Sequence, residues 1–449
     1  MSELLARHRA VIPNWVGIYY DEPIEIVGGK GCRVTDGQGR SYLDFFAGIL
    51  TNMLGYDVPE VRDAVERQIA TGVVHTSTLY LIRNQVELAE KIIKLSGIEN
   101  AKVFFTNSGT EANETALLAC LTARQANQVL AMRGSYHGRS FGAVSVTGVA
   151  AWKMSSHDPF GTHYLHGTDR QLSQYQSLSD ADYVKVCVED LRALLSAGVH
   201  PADVGCLLAE PVQGVGGFTM APDGLLAAYK EVLDEHGILL ISDEVQTGWG
   251  RTGAHFWGIS AHGITPDAMT FAKGLGNGFA IGGVVARGEL LDGIRGNGIS
   301  TFGGNPIATA AGNATLDYLL SHDLQRNAAV TGELIISGLK EAATNLPIVG
   351  EVRGKGLMFA VDLVDPETRK PSPPLAARML EATKERGLLI GKGGLYGHTL
   401  RMAPPLTLSE AEAKEGLTIL TDALNTVNEE SKRSEQAHQP LDRRQALGR

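Results

Sequence analysis

Residues 237–246 read G-I-L-L-I-S-D-E-V-Q, an apolar run that ends abruptly in two carboxylates. A short apolar run opened by glycine fits a strand buried on both faces, the kind that runs parallel to its neighbours between covering helices. Comparable runs lie at 102–106, 128–133, 204–210, 268–272 and 282–286, and longer stretches of helical periodicity separate most of them. Strands alternating with helices predict βαβ units, and therefore an α/β fold with a large, mostly parallel sheet covered by helices. In such sheets ligands gather beyond the carboxyl ends of the strands, which is where Asp243 and Glu244 stand.

Working outward, residues 31–46, G-C-R-V-T-D-G-Q-G-R-S-Y-L-D-F-F, predict two short strands about an Asp-Gly turn. Helical periodicity follows from about residue 58. Beyond 315 the pattern becomes a long amphipathic helix, then V-R-G-K-G-L-M-F-A-V-D-L at 352–363, another helix and L-R-M-A-P-P-L at 400–406, which predicts a smaller α+β unit. The expected division is an N-terminal segment, 1–65, contributing to the small domain, a large ligand-binding domain, 66–315, and a C-terminal small domain, 316–427. From 428 to 449 the chain is polar and charged, and a frayed tail is expected.

Of the 449 residues, 43% are hydrophobic and 20% charged, which suits a globular chain and neither a disordered nor a membrane one. A net charge of −10 disfavours nucleic acid and anionic membranes as partners. No apolar stretch reaches the roughly 18 residues of a membrane span, and the charged first ten residues lack the apolar core of a secretory signal, so a cytoplasmic location is expected. Cys32, Cys120, Cys187 and Cys206 are scattered without a C-x-x-C pair, as reduced structural thiols would be, and no metal is expected.

Three local features bear on chemistry. Residues 104–116, F-F-T-N-S-G-T-E-A-N-E-T-A, place Ser108, Gly109 and Thr110 between a strand and a helix, where unpaired N–H groups can cradle a phosphate; a plain N-cap would look the same. Asp243, at a buried strand end, needs a partner, because a desolvated, unpaired charge is costly; a salt bridge to an arginine would suffice. Lys273, in F-A-K-G-L-G-N-G at 271–278, follows the next strand, and in a site of low polarity its amine becomes a usable nucleophile or base. Together, in that chain order, the three suit a cofactor that carries a phosphate, a cationic ring nitrogen and an aldehyde. Pyridoxal 5'-phosphate has those parts.

On these motifs the chain resembles the class III aminotransferases of the fold type I pyridoxal-phosphate enzymes over roughly residues 11 to 425, and is most similar to the branch with alanine-glyoxylate and 4-aminobutyrate aminotransferases. The resemblance implies that Lys273 is the Schiff-base lysine, that Asp243 in I-S-D-E-V-Q partners the pyridine nitrogen, and that Gln246 lies near the phenolic oxygen. It implies a phosphate cradle of Ser108, Gly109 and Thr110, a ring stacked on Tyr136 with His137 beside it, and a homodimer, alone or paired into tetramers, in which Thr301 reaches the neighbouring site. Arg401 in L-R-M-A-P-P-L resembles the arginine that binds a substrate carboxylate, Glu210 in A-E-P-V-Q-G the glutamate that pairs with it when an ω-amino donor is bound, and Arg139 a second carboxylate-binding arginine.

The chain departs from the family pattern at L-G-Y-D-V-P, where Tyr56 and Asp57 replace a usual histidine and its neighbour. The expected reaction moves an amino group from an amino acid, such as 4-aminobutyrate or a β-amino acid, to 2-oxoglutarate, pyruvate or glyoxylate. The rivals are an aminomutase or amino-acid racemase of the same fold, and a noncatalytic carrier of the cofactor; Glu210 with Arg401 leans toward transamination.

Overall fold

A computed structural model describes residues 3–168, 170 and 174–438. Its central sheet has seven strands: Ala101–Thr106 (β1), Gln128–Met132 (β2), Thr162–Leu165 (β3), Val204–Ala209 (β4), Leu239–Asp243 (β5), Ala268–Phe271 (β6) and Gly282–Arg287 (β7). They lie in the order β1-β7-β6-β5-β4-β2-β3, and β7 alone runs against its neighbours. The short edge strand β3 escapes sequence reading, since T-H-Y-L has neither an apolar run nor clear alternation.

Both faces of this sheet are covered. Val129, Ala131, Cys206, Leu208, Leu239 and Ile241 pack with Ala112, Ala116 and Cys120 of helix Gly109–Arg124 on one face. Their neighbours Leu130, Met132, Leu207, Ala209 and Leu240 enter the larger core on the other. Successive strand residues point to opposite faces, so a strand buried on both must be apolar without interruption.

The reversed β7 matters for the site. Because it is antiparallel, its first residue, Gly282, lies beside the last residue of β1, Thr106, while Gly283 pairs with Phe271. The chain therefore leaves β6, makes the loop holding Lys273 and returns along the same edge where the parallel strands end. A Cβ on Gly282 would stand 2.7 Å from the Ser108 carbonyl, so only glycine lets the strand pass this close to the start of helix Gly109–Arg124.

The expected hairpin forms between Arg33–Asp36 and Ser41–Asp44, joined by Ile26–Lys30, and its sheet is completed by Leu388–Leu389 from the far end of the chain. A second sheet, wholly antiparallel, comprises Val349–Lys355, Met358–Leu363, Thr399–Met402 and Gly391–Gly393. The last helix, Glu410–His438, runs beyond 428, where composition alone reads as a tail. Its extension has anchors: Asn428 is buried, and Glu430 accepts two hydrogen bonds from Arg378, at 2.9 and 3.0 Å. The rest of the expected tail, from 439, lies outside the described residues.

Candidate active site at the strand ends

A cavity of about 450 Å³ opens at the carboxyl edge of the central sheet. Its lining includes Ser108, Gly109, Thr110, Tyr136, His137, Arg139, Glu210, Asp243, Gln246 and Lys273. Residues separated by 165 positions in the chain converge because each follows a strand that ends at this edge. Thr301 is exposed and does not line the cavity.

At the head of helix Gly109–Arg124, Ser108 is the N-cap and its hydroxyl accepts the Glu111 N–H at 3.2 Å. The N–H groups of Gly109 and Thr110, in the first turn, have no intrahelical acceptor and carry the positive end of the helix dipole. A Cβ on Gly109 would sit 3.0 Å from Val245, so the backbone approaches the loop after β5 as closely as a side-chain-free residue allows. Ser108 caps the helix, and Gly109 and Thr110 line the cavity.

Asp243 is buried, and the partner it needs is not an arginine. One carboxylate oxygen accepts from the Asn113 amide at 2.8 Å and meets His137 Nδ1 at 2.8 Å; the other accepts the Val245 N–H at 3.1 Å. Asn113 also donates to the His137 carbonyl at 2.8 Å and accepts from the Thr270 hydroxyl at 2.7 Å, which fixes the amide's orientation. Sequence reading passes over Asn113. The signal was there: it lies on the face of the helix that Ala112 and Ala116 define as buried, where an amide needs a reason. Next door, Glu244 is satisfied by the Ser242 and Thr247 hydroxyls and the Gly258 and Ile259 N–H groups, a structural arrangement turned away from the cavity.

Lys273 sits at the start of a short turn with φ of 46°. Burial pushes its ammonium below the ordinary lysine pKa, while Asp243 and Glu210 oppose the shift and Arg401 reinforces it. A neutral amine is thereby made more accessible.

Glu210, at the end of β4, is buried and accepts two backbone N–H groups, Tyr136 at 2.8 Å and Gly214 at 2.8 Å. Burial raises its pKa from 4.5 to about 7 against the pull of His137. Arg401 is 4% exposed, lies behind the residues that line the cavity, and donates to the carbonyls of Lys392 at 3.2 and 3.1 Å and of Gly214 at 3.0 Å, with the Tyr19 hydroxyl also against it. Its guanidinium also lies over the rings of Phe46, 5.5 Å, and Phe218, 5.6 Å. Glu210 and Arg401 make no ion pair here; residue Gly214 bridges them, its N–H on Glu210 and its carbonyl on Arg401. A Cβ on Gly214 would require the Gln246 side-chain amide to move aside.

Tyr136 meets Trp152 edge to face at 5.6 Å, and Arg139 lies on the rim over the ring of Trp15, 5.7 Å away. On the opposite wall is a turn with an unusual backbone. Ala47, Gly48, Ile49 and Leu50 have φ of 48°, 62°, 64° and 63°, four consecutive left-handed residues of which one is glycine. Each non-glycine residue there costs about 1–2 kcal/mol. Gly48, Ile49 and Thr51 line the cavity.

The donor set fits pyridoxal phosphate. Free N–H groups at a helix head suit its dianion, a buried carboxylate oriented by His137 and Asn113 suits a protonated ring nitrogen, and Gln246 Oε1 is buried without a partner on the cavity wall.

Comparison with known proteins points the same way. The family model for aminotransferase class III matches residues 19–424. An acetylornithine aminotransferase of Mycolicibacterium smegmatis is 37% identical, covering 95% of this chain and 100% of its own. Alanine–glyoxylate aminotransferase 2 homolog 2, mitochondrial, of Arabidopsis thaliana is 36% identical over 91% of this chain and 84% of its own. Among solved structures, a PLP-bound amine transaminase from an uncultivated Pseudomonas species superposes with a TM-score of 0.86 at 28% identity, covering 93% and 99% of the two chains.

Proposed function

The chain belongs to the class III aminotransferases, pyridoxal-phosphate transaminases with the fold type I architecture, and from that premise we propose that it moves an amino group between an ω-amino acid and a 2-oxo acid, with Arg401 as the carboxylate grip. The observation that carries this reading is the solvation of Arg401: a buried guanidinium whose partners are neutral carbonyls, the Tyr19 hydroxyl and aromatic faces, with no carboxylate in hydrogen-bond contact among the described residues. A buried cation is costly without an anion, and a substrate carboxylate would supply one in the bidentate geometry that guanidinium favours. Glu210, held by the Gly214 N–H, is linked through that one residue to the same group, which donates to the Gly214 carbonyl. It would take over Arg401 when a donor's reacting end lacks a carboxylate, which lets one pocket serve two substrates.

Ser108, Gly109 and Thr110 would hold the cofactor's phosphate, Tyr136 and His137 would flank its ring with Gln246 near its phenolic oxygen, and Asp243 would keep a proton on its ring nitrogen. Bound there, the cofactor supplies an electron-accepting ring. Lys273 Nζ, eased toward the neutral amine by burial, is the base that takes the proton from the donor carbon and returns it in the second half-reaction. Arg139, on the rim, would meet a distal carboxylate.

Three further parts complete the reading. A homodimer, alone or paired into a tetramer, would bring the exposed Thr301 of a second copy to this cavity. The division into a large and a small unit is supported by the separate central and antiparallel sheets, while the expected boundaries at 66 and 316 fall inside the helices Pro59–Ala70 and Pro306–Ser321. A cytoplasmic location is supported by four free, buried cysteines; no described helix is long and apolar enough to cross a membrane.

The test is a panel of ω-amino donors against pyruvate, glyoxylate and 2-oxoglutarate, run with wild type and Arg401→Ala. The expected result is a raised KM for every 2-oxo acid in the variant. An unchanged KM refutes the grip. Interconversion of amino-acid enantiomers without any 2-oxo acid would favour a racemase instead.

A further inference from the structure

The left-handed turn Ala47–Leu50 is held from outside the cavity, through Tyr56, which stands where the family pattern has a histidine. Asp44, buried at the end of strand Ser41–Asp44, directs one oxygen at the N–H groups of Phe46, 2.7 Å, and Ala47, 3.0 Å, the two peptides that lead into the turn. Its other oxygen accepts the Tyr56 hydroxyl at 2.6 Å. Tyr56 is itself fixed: its N–H and carbonyl bridge Gly31 at 2.8 and 2.9 Å, and its ring fills the space where Gly29 would carry a side chain.

What the turn carries faces the site on two sides. Phe46, just before it, presents its ring to the Arg401 guanidinium and stacks on Tyr19, 6.2 Å away at 25°. Ile49, 48% exposed, lines the cavity, and Leu50 packs with Val212 and Phe218 of the loop after β4. A backbone that L-residues resist keeps its shape only while its surroundings over-determine it. Here the over-determining groups are the two N–H contacts to Asp44 and the phenol that orients that carboxylate.

We infer that Asp44 and Tyr56 are positioning residues that clamp the turn Ala47–Leu50, so that Tyr56, outside the cavity, sets the affinity of Arg401 and the Ile49 wall for the substrate carboxylate. The inference rests on the proposed role of Arg401. Loss of the phenol frees the carboxylate to rotate and the turn to relax toward ordinary φ, which moves Phe46 off the guanidinium and Ile49 off the wall. The turn also packs against Lys273–Gly276, but that segment is held independently, by strands β6 and β7 and by the Asn277 side chain on Leu54 and Gly55, so the chemistry at Lys273 is touched less.

The experiment measures KM and kcat for pyruvate and 2-oxoglutarate in the holoenzyme for wild type, Tyr56→Phe, Tyr56→His and Arg401→Ala, with a thermal melt of each. Tyr56→Phe keeps the ring and removes one hydrogen bond to a charged group, so KM should rise about tenfold with kcat changed far less. Tyr56→His returns a donor to Asp44 and should recover most of that loss. A merely structural role would lower the melting temperature and the active fraction, moving kcat and leaving KM alone; that result, or failure of a folded Tyr56→His to restore KM, overturns the clamp. A rise in Arg401→Ala without one in Tyr56→Phe condemns the clamp alone. No rise in Arg401→Ala condemns the carboxylate grip, and a Tyr56→Phe rise recovered by histidine would then assign the clamp's effect to Ile49.

Discussion

Glu210→Gln separates the two properties of that carboxylate, its titration and its hydrogen bonds. Folding raises the Glu210 pKa from 4.5 to about 7, so the folded state holds its proton over a range where the unfolded chain has lost it. At about 1.4 kcal/mol per tenfold, ionising Glu210 in place is disfavoured by about 3 kcal/mol. The sign follows directly: stability is full below about pH 4.5, declines as pH rises toward 7, and levels off above it. Glutamine does not titrate. It does place an NH₂ against one of the two N–H donors, Tyr136 or Gly214, a pH-independent loss of about 1–3 kcal/mol. Urea-unfolding midpoints of the holoenzyme, measured from pH 4.5 to 8, should therefore favour the wild type at the acid end. The two curves should converge or cross by pH 8. A wild-type-minus-variant difference that stays constant across that window refutes the raised pKa and, with it, the picture of Glu210 as a buried carboxylate lacking a cation.

Lys273→Ala should lose turnover while cofactor still binds through the phosphate cradle, seen as retained pyridoxal phosphate after gel filtration. Asp243→Asn should slow both half-reactions by orders of magnitude more than it weakens cofactor binding, read by stopped-flow absorbance beside a binding titration; equal losses would mark a structural carboxylate. Arg139→Ala should impair 2-oxoglutarate and spare pyruvate, by about 1.5–3 kcal/mol of lost charge-assisted contact. Equal effects on the two acceptors would make Arg139 a support for its loop. Gly214→Ala should push the Gln246 side-chain amide aside, since its Cβ would collide with that group, and so weaken cofactor binding while leaving the KM for 2-oxo acids near wild type; unchanged cofactor affinity would refute that.

The parts legible in the sequence are those set by local pattern. Apolar runs mark β2, β4, β5, β6 and β7 because a doubly covered strand leaves little place for polar side chains, and β1, on one edge with Lys102 exposed, is marked by Val103–Phe105 alone, whereas β3 on the other edge escapes notice because it has no such run. Lys273, Asp243 and Ser108 stand out because each ends or follows a strand. What the pattern hides is who meets whom. Nothing local says that Asp243 takes His137 and Asn113 in place of an arginine, or that one residue, Gly214, bridges Glu210 and Arg401. The Tyr56 substitution is visible as a departure from a motif, but its partner, Asp44, is fixed by tertiary folding of the hairpin around it. The polar residues after 428 hide their anchors for the same reason, since Arg378 is distant in sequence.

The reversed strand β7 gives the lysine loop a mechanical property that the other site loops lack. Each of the other loops leaves a strand and runs into a helix or a long connection, so one of its ends can yield. The segment carrying Lys273 is strung between two strands hydrogen-bonded to each other, Phe271 against Gly283, and to the sheet on either side. It is a bridge with two fixed piers. On the proposed reading, substrates would enter and Arg401 would be recruited and released while the amine's anchorage stays tied at both ends to the sheet. Adaptation to new substrates is accordingly free to work on the rim, at positions such as Arg139 and Ile49, without loosening the atom that must be in the same place at every turnover.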